Sequence, residues 1–275
     1  MSEVSRPTPT FRQLMQRRLA LWYQGKEPHP DPERQKRRRF LASLTNKTVM
    51  SRYIKEMGLP MPELYCDHLP IDKVDFRSLP KRVVIKPNNS ACCHGVALLD
   101  GRRDVLNRKF VMLRNREQHL RQLWQRDGVS FGAGTKVVAE EFLRDFDKRF
   151  KVPRDFKVYT ANGRVGVIQV NDRSKGTQDR SLSYFTRDWD FVEEKIKSDV
   201  TFGPKYDRPD DLEQLVEMSE RLSADLGVFY RFDFYMTTRG PVFGEFTSYP
   251  AAGVGFTPFG DRLMCGLMDA GAHAE

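Results

Sequence analysis

YRFDFYMTTRGPVFGEFT, residues 230–247, predicts two β-strands joined by a short turn, and this strand pair decides the fold class. The turn falls at residues 238–240, between two runs rich in aromatic and β-branched residues. In the first run Arg231, Asp233 and Tyr235 alternate with aromatic residues, so one face of the strand carries the polar groups. The stretch therefore predicts an antiparallel hairpin with a polar face and an apolar face.

The hairpin carries one carboxylate on each strand, Asp233 and Glu245. A carboxylate among aromatic neighbours is costly unless a cation or a metal pairs with it. Two carboxylates that face each other across a hairpin repel unless a divalent ion such as Mg²⁺ lies between them. The sequence therefore favours a metal site at Asp233 and Glu245. The alternative is a surface hairpin in which Arg231 pairs with Asp233 or with Glu245.

The bulk composition is that of a globular protein. The chain has 275 residues, enough for a sizeable core and one or two domains, and 39% of them are hydrophobic. The sequence has neither an apolar run of membrane-spanning length nor a signal-peptide pattern, so we expect a cytoplasmic protein without a membrane span. Its four cysteines, two of them adjacent as Cys92-Cys93, lack the spacing of a disulfide framework or a zinc site.

Positive charge is concentrated near the N-terminus. Residues 1–40 contain ten Lys and Arg residues against four acidic residues, and the whole chain has a net charge of +9. A non-enzymatic basic module that binds nucleic acid is therefore one hypothesis. The segment has few interleaved aromatic residues and no nucleic-acid motif, so we do not favour it. The simpler interpretation is a helix from Phe11 to Tyr23 that has solvated basic ends and docks one face on the protein.

The rest of the chain contains more predicted strands than helices, and most neighbouring strands are joined by hairpins. This pattern predicts an α+β fold with largely antiparallel sheets. Thr45-Asn46 is a cap for a helix that ends at Gly58, and Asn162-Gly163 is a strong hairpin signal. The predicted helices are residues 47–57, 115–126 and 210–226, and the predicted strands are residues 82–86, 96–99, 136–143, 155–160 and 164–170.

Two strand ends suit the binding of a nucleotide. Lys86 ends a strand directly before a loop of small and polar residues, where its ammonium and the loop amides can meet a phosphate. Glu140-Glu141 ends another strand, and an extended apolar segment after it can hydrogen-bond ribose and adenine. An ordinary structural lysine and a solvated strand end are the alternatives at these two positions.

The order of these elements resembles the TupA-like ATP-grasp family, which is named for a protein of teichuronopeptide synthesis. The resemblance spans about residues 45–255. It is carried by Thr45-Asn46-Lys47 through Gly58-Leu59-Pro60, Val84-Ile85-Lys86-Pro87-Asn88, Ala139-Glu140-Glu141-Phe142, Asp155-Phe156-Lys157-Val158-Tyr159, Ile168-Gln169-Val170-Asn171-Asp172-Arg173, and Arg231-Phe232-Asp233-Phe234-Tyr235 through Gly244-Glu245-Phe246-Thr247-Ser248-Tyr249-Pro250.

The resemblance implies an ATP-grasp fold in which ATP lies between two α+β subdomains, residues 45–134 and 135–275. A basic N-terminal helical arm, residues 1–44, precedes them. The loop 88–95 would close over the phosphates, although it is bulkier here than in related proteins. The implied ATP-binding residues are Lys47, Lys86, Asn88, Ser90, Glu140, Glu141, Phe142 and Leu143, and the implied Mg²⁺ ligands are Asp233, Glu245 and Thr247.

The resemblance also implies a ligation in two steps. A substrate carboxylate attacks the γ-phosphate of ATP, and an amine then displaces phosphate from the acyl-phosphate to form an amide. Arg231 and Lys86 are the implied catalytic cations. Lys157 and Arg173 are expected on the substrate side, and ordinary surface ion pairs are the alternative for both. The expected substrates belong to cell-surface polysaccharide or peptide-polymer assembly, or to natural-product biosynthesis. A kinase of the same fold, which transfers phosphate to a hydroxyl, is the alternative.

Overall fold

The computed structural model describes residues 8–88, 93–130, 134–172 and 181–269. In this part of the chain, two six-stranded sheets are flanked by helices, which confirms the predicted α+β class. Nine of the ten strand pairings within the sheets are antiparallel, and only β9 (Ser181–Phe185) and β10 (Thr201–Phe202) run parallel. The helices are α1 (Phe11–Trp22), α2 (Pro32–Ser43), α3 (Lys47–Glu56), α4 (Arg116–Arg126), α5 (Leu212–Leu226) and α6 (Pro258–Asp269).

The first sheet lies in the N-terminal half of the chain. Its strands are β1 (Leu64–Leu69), β2 (Arg82–Pro87), β3 (Ala97–Asp100), β4 (Arg103–Asp104), β5 (Lys109–Phe110) and β6 (Val137–Glu141), in the order β1-β6-β2-β3-β4-β5. Helix α4 packs Leu120, Leu123 and Trp124 into the core of this sheet. The predicted strands at 82–86 and 96–99 and the predicted helix at 115–126 are thus confirmed to within one residue.

The second sheet contains both predicted hairpins. Its other strands are β7 (Asp155–Ala161), β8 (Arg164–Asp172), β11 (Tyr230–Thr237) and β12 (Gly240–Thr247), and the order is β10-β9-β8-β7-β11-β12. Asn162 and Gly163, with φ of 48° and 74°, turn β7 into β8 because these residue types tolerate the left-handed region. Strand β11 lies inside the sheet, between β7 and β12, so the hairpin at 230–247 is not a surface hairpin.

Helices cover both faces of the second sheet. Helices α3 and α5 share one core with the aromatic residues Phe232 and Phe234 of β11. Helices α1 and α6 share another core with Tyr159 of β7 and Val167 of β8, which lie on the opposite face. Asn46 caps α3, since its Oδ1 accepts hydrogen bonds from the backbone N–H groups of residues 48 and 49.

The division of the chain at residue 134 differs from the observed sheets in two ways. Strand β6 follows that boundary, but it pairs with β1 and β2 and so belongs to the first sheet. Helix α3 precedes the boundary, but Met50, Tyr53 and Ile54 pack in the core of the second sheet. The chain therefore passes from the core of the second sheet to the first sheet after α3 and returns to the second sheet after β6, and not at residue 134.

The basic N-terminal segment is not a separate arm. Helix α1 buries Phe11, Met15 and Trp22, and it confirms the predicted helix that docks one face on the protein. Helix α2 was not predicted, although Asp31 caps it and Pro32 occupies its first turn. None of the described helices is long and apolar enough to cross a membrane.

Arg18 of α1 ties this segment to the second sheet. Its side chain is only 2% exposed, and its Nη1 donates to the backbone oxygens of Phe229 at 2.8 Å and Ser248 at 3.0 Å. The guanidinium also lies 4.5 Å from the centre of the Trp22 ring. Phe229 directly precedes β11 and Ser248 directly follows β12, so Arg18 fastens the end of the hairpin that carries residues 231 and 247.

We expect Arg18→Met to lower the free energy of unfolding by about 2–3 kcal/mol, because two buried carbonyl groups lose a charged donor. Urea unfolding followed by circular dichroism measures this change. The matched control is Arg17→Met, since Arg17 is the exposed neighbour on the same helix. Equal stability of the two variants would contradict a bracing role for Arg18.

Candidate active site

Asp233 and Glu245 lie directly opposite each other on β11 and β12, as the sequence predicts. An irregularity in the pairing follows Asp233, and the register before it also places Arg231 opposite Thr247. Because Phe232 and Phe234 enter the core with α3 and α5, the alternating residues Arg231 and Asp233 lie on the other face of the strand. The hairpin therefore brings two carboxylates, a guanidinium and a hydroxyl together.

Asp233 is 8% exposed and is held by two cations. Its Oδ1 accepts from Arg231 Nε at 2.6 Å, and its Oδ2 accepts from Arg231 Nη2 at 2.8 Å. The ammonium of Lys157, from the neighbouring strand β7, also donates to Oδ2. The pairing of Arg231 with Asp233 that the sequence left open is thus present, but at a buried site instead of on a surface hairpin.

Glu245 and Thr247 complete the polar face of the hairpin. Thr247 Oγ1 accepts from Arg231 Nη2 at 2.9 Å. Glu245 is exposed to solvent, yet desolvation by the surrounding protein and repulsion by Asp233 raise the pKa of its carboxyl above the ordinary value. Lys157, Arg231 and Lys47 partly offset this effect. An additional cation beside Glu245 would favour its ionised form.

The donor set fits Mg²⁺. Two carboxylates and a hydroxyl are hard oxygen ligands, and Mg²⁺ is commonly held by one or two carboxylates together with substrate phosphates. Lys157 and Arg231 already supply positive charge at Asp233. Over the residues that the structure describes, no group of three or more His, Cys, Asp or Glu side chains could hold a metal alone. The residues therefore suit a cation shared with phosphate, not a closed structural metal site.

Two lysines lie close to these carboxylates. Burial lowers the pKa of Lys47, and the nearby charge of Lys86 lowers it further, whereas Glu140 and Glu245 act in the opposite direction. Lys47 is the first residue of α3, where the helix dipole also favours an anion. Lys86, at the end of β2, forms an ion pair with Glu140 of β6. The structure thus brings the predicted phosphate-binding lysines to the same place as the predicted metal ligands.

A cavity that is partly open to solvent lies beside these groups and is lined by residues of both sheets. Its walls are mostly apolar, with Glu140, Glu141 and Asp155 at the polar part. The apolar lining consists of Val84, Val96, Leu98, Leu106, Leu143, Val152 and Pro153, with Cys93 and Tyr235 beside them. An apolar lining with carboxylates at one end suits a flat aromatic ring with polar substituents at that end.

Three of the predicted ATP-binding residues have roles that the sequence did not indicate. Phe142 is buried behind the cavity wall, in a cluster with Leu98 and Val152. Asn88 fastens β2 to the segment before β6, because its Oδ1 accepts from the Lys136 backbone N–H at 2.8 Å. Glu141 Oε2 accepts from Arg239 at 2.5 Å, which links β6 to the turn between β11 and β12. Ser90 and Arg173 lie outside the described residues.

The sequence did not predict that several residues would line the cavity. Asp155 and Tyr235 line the cavity, and Cys93 belongs to the loop after Lys86. The strand alternation does mark Tyr235, since it shares a face with Asp233, but nothing in a single sequence indicates that β7 is the neighbour of β11. The register that places Lys157 opposite Asp233 joins strands that are 76 residues apart in the chain.

Comparisons with known proteins identify the family of the chain. A family model described as TupA-like ATP-grasp matches residues 32–264. No curated protein matches the sequence. Among solved structures, D-alanine–D-alanine ligase from Helicobacter pylori is 15% identical with a TM-score of 0.48, and the match covers 96% of this chain and 68% of that one.

Two further solved structures are similar over smaller shares of their own length. The ATP-grasp ligase PsnB, in complex with a phosphomimetic variant of its minimal precursor, Mg and ADP, is 11% identical with a TM-score of 0.43. The match covers 86% of this chain but only 58% of PsnB. L-amino acid ligase from Bacillus licheniformis is 18% identical with a TM-score of 0.45, over 79% of this chain and 43% of that one.

Proposed function

The chain belongs to the TupA-like ATP-grasp family, and from this premise we propose that it is an ATP- and Mg²⁺-dependent ligase. The proposed reaction joins a carboxylate to an amine. The proposed carboxylate comes from a cell-surface polysaccharide or peptide polymer, or from a precursor of a natural product. The observation that carries the proposal is the meeting of Asp233 and Glu245 with Lys47 and Lys86 beside the cavity between the sheets.

This arrangement suits a nucleotide in one orientation. Adenine fits the apolar part of the cavity, and the ribose hydroxyls fit the carboxylates of Glu140 and Glu141. The phosphates then extend toward Lys47 and Lys86, whose positive charges favour them. Asp233, Glu245 and Thr247 would hold Mg²⁺ at the far end of the phosphates. When it is bound, Mg²⁺ supplies positive charge to the phosphoryl group that is transferred.

The proposed chemistry has two steps. In the first, a substrate carboxylate oxygen attacks the γ-phosphorus of ATP, the bond to the β-phosphate oxygen breaks, and ADP leaves. In the second, the amine attacks the carbonyl carbon of the acyl-phosphate, loses a proton and expels phosphate. Both steps need fixed cations around a phosphoryl group, because preorganised charge stabilises the transition state by several kcal/mol.

Arg231 and Lys86 are the proposed sources of this fixed charge. Burial by itself lowers the pKa of Arg231, but Asp233 and the other nearby groups raise it above the ordinary value, so the guanidinium stays charged. Its two contacts with Asp233 and one with Thr247 hold it in one orientation. The ammonium of Lys86 is half-buried and pairs with Glu140, which lines the cavity.

The first test is the melting temperature with ATP alone, with Mg²⁺ alone and with both. We expect a rise of about 5–10 °C that needs both ligands, because a ligand at 100 times its Kd stabilises the native state by about 2.7 kcal/mol. Release of ADP and phosphate together with amide formation then identifies a ligase, whereas a kinase leaves the phosphate on the acceptor. No shift at millimolar MgATP would remove the proposed nucleotide site.

A further inference from the structure

Lys157 occupies an unusual position among the charges of the site. It lies directly opposite Asp233 in the register of β7 and β11, and its side chain is nine-tenths buried. Its ammonium contacts Asp233 Oδ2 and lies 3.6 Å from Asp155 Oδ2. The same ammonium also acts on the pKa of Glu245. One lysine therefore acts on three carboxylates, and two of them, Asp233 and Glu245, are the proposed ligands of the divalent cation.

Asp233 has little capacity left for another cation. An ionised carboxylate offers about four acceptor positions, and Arg231 and Lys157 take three of them, because Oδ1 accepts one hydrogen bond and Oδ2 accepts two. A divalent cation can gain full access to Asp233 only if one of these two partners moves. Either Arg231 or Lys157 must therefore leave Asp233 when the cation binds.

The geometry favours movement of Lys157. Arg231 makes two hydrogen bonds to Asp233 and a third to Thr247, so its planar fork is fixed at three points. Lys157 is a single charge on a flexible stem, and a second acceptor, Asp155, is already within 3.6 Å. A short movement of the ammonium toward Asp155 exchanges one carboxylate for the other.

Asn171, which contacts Asp155, provides a further hydrogen-bond acceptor near Lys157. Asn171 donates from Nδ2 to Asp155 Oδ2 at 3.1 Å, and its side chain is 1% exposed. Among the described residues, its Oδ1 is a buried acceptor without a hydrogen-bond partner. Such a buried atom is costly unless a donor reaches it in another state of the protein. An ammonium that moves toward Asp155 brings three donors to this neighbourhood.

We propose that Lys157 is a built-in counter-ion, which holds the Asp233 carboxylate until a divalent cation binds and then moves toward Asp155 and Asn171. The proposal rests on the proposed function, because it concerns the same cation site. Asp155 lines the cavity, so the movement carries a positive charge toward the nucleotide. Lys157 thereby pairs with Asp233 in the absence of a divalent cation and competes with the cation for this carboxylate.

Direct binding of Mn²⁺, followed by its electron paramagnetic resonance signal in the absence of nucleotide, tests this competition. We expect Lys157→Met to bind Mn²⁺ about tenfold or more tightly than the wild-type protein, because a charge in direct contact with Asp233 is removed. Lys157→Arg, which keeps the charge and adds hydrogen-bond donors, is expected to bind it more weakly than wild type. The order Met, Lys, Arg is the signature of displacement.

The matched control is Lys47→Met, which removes an equal charge near Glu245 and leaves the contacts of Asp233 in place. We expect it to change Mn²⁺ affinity by less than about threefold, since a charge without direct contact is screened more strongly. An unchanged or weaker affinity in Lys157→Met, or an equal gain in both methionine variants, would overturn the proposal. Absence of Mn²⁺ binding to wild type even with ATP would instead contradict the proposed function.

Discussion

Glu245→Gln is expected to lower kcat/KM for ATP-dependent ligation by about a thousandfold or more. The substitution removes one of the two carboxylates proposed to hold Mg²⁺, and charge stabilisation by the cation is worth several kcal/mol in the transition state. Steady-state release of ADP, measured over a range of Mg²⁺ concentrations, gives this number. Glu217→Gln is the control, because Glu217 is an exposed glutamate on α5, away from the hairpin.

The same variant should not be less stable than the wild-type protein when no ligand is present. The folded-state pKa of Glu245 is raised, so its ionised form opposes folding; this effect is complete above the raised pKa and disappears as the pH falls below the ordinary glutamate value. Glutamine removes it. We therefore expect an equal or higher melting temperature at pH 7 for Glu245→Gln without ligand. Full ligation activity in this stable variant would rule out Glu245 as a metal ligand.

Asp233 gives a less direct test, although the sequence alone suggests that Asp233→Asn and Glu245→Gln are equivalent. From the hairpin pattern alone, both substitutions are expected to abolish turnover and to leave the fold intact. Asp233, unlike Glu245, neutralises two buried cations, Arg231 and Lys157. Its loss leaves them with too little negative charge, and breaking a buried pair typically costs about 3–5 kcal/mol. Loss of activity in Asp233→Asn therefore combines chemistry with stability.

The difference between these two residues shows what the sequence can and cannot predict. Alternation along residues 230–247 predicts the hairpin, its buried face and the opposition of Asp233 and Glu245, because these are local consequences of strand geometry and of one turn. The partner on the other side of β11 is not local. Lys157 reaches Asp233 only because β7 is the adjacent strand, and no pattern within either strand indicates this pairing.

The N-terminal segment illustrates a second limit. A run of basic residues predicts a solvated helix, since Arg is rarely buried without partners. Arg18 is nevertheless buried, because backbone carbonyls more than 200 residues away accept its hydrogen bonds and Trp22 covers its guanidinium. Helix α1 also lies outside the matched region, residues 32–264. Neither the charge pattern nor the family match therefore indicates that α1 fastens the end of the β11–β12 hairpin.

The segment between β6 and β7, residues 142–154, links the two sheets and contains a buried bidentate ion pair, Arg154 with Asp145. Arg154 Nε and Nη2 donate to the two oxygens of Asp145 at 2.9 and 2.7 Å, and both residues are 2% exposed. Aromatic rings surround the guanidinium, and the nearest, that of Phe150, has its centre 3.9 Å away. Val152 and Pro153, which line the cavity, lie within this link.

We expect Arg154→Met to lower the free energy of unfolding by about 3–5 kcal/mol and the melting temperature by about 10 °C, because Asp145 is left as an unpaired buried charge. Urea and thermal unfolding measure both. Arg149→Met is the control: Arg149 belongs to the same segment, but 70% of its side chain is exposed, so solvent screens its ion pairs with Asp147 and Asp207 and they contribute little to stability.

A second substitution separates the buried charge from the loss of packing. Asp145→Asn in the Arg154→Met background neutralises the charge and keeps a side-chain oxygen for one of the two backbone N–H groups, of residues 147 and 154, that donate to Asp145. Part of the lost stability should then return, because replacing both members of a buried pair costs less than removing one. If the double variant is no more stable than Arg154→Met, the aromatic contacts of Arg154, and not its pairing with Asp145, hold the link in place.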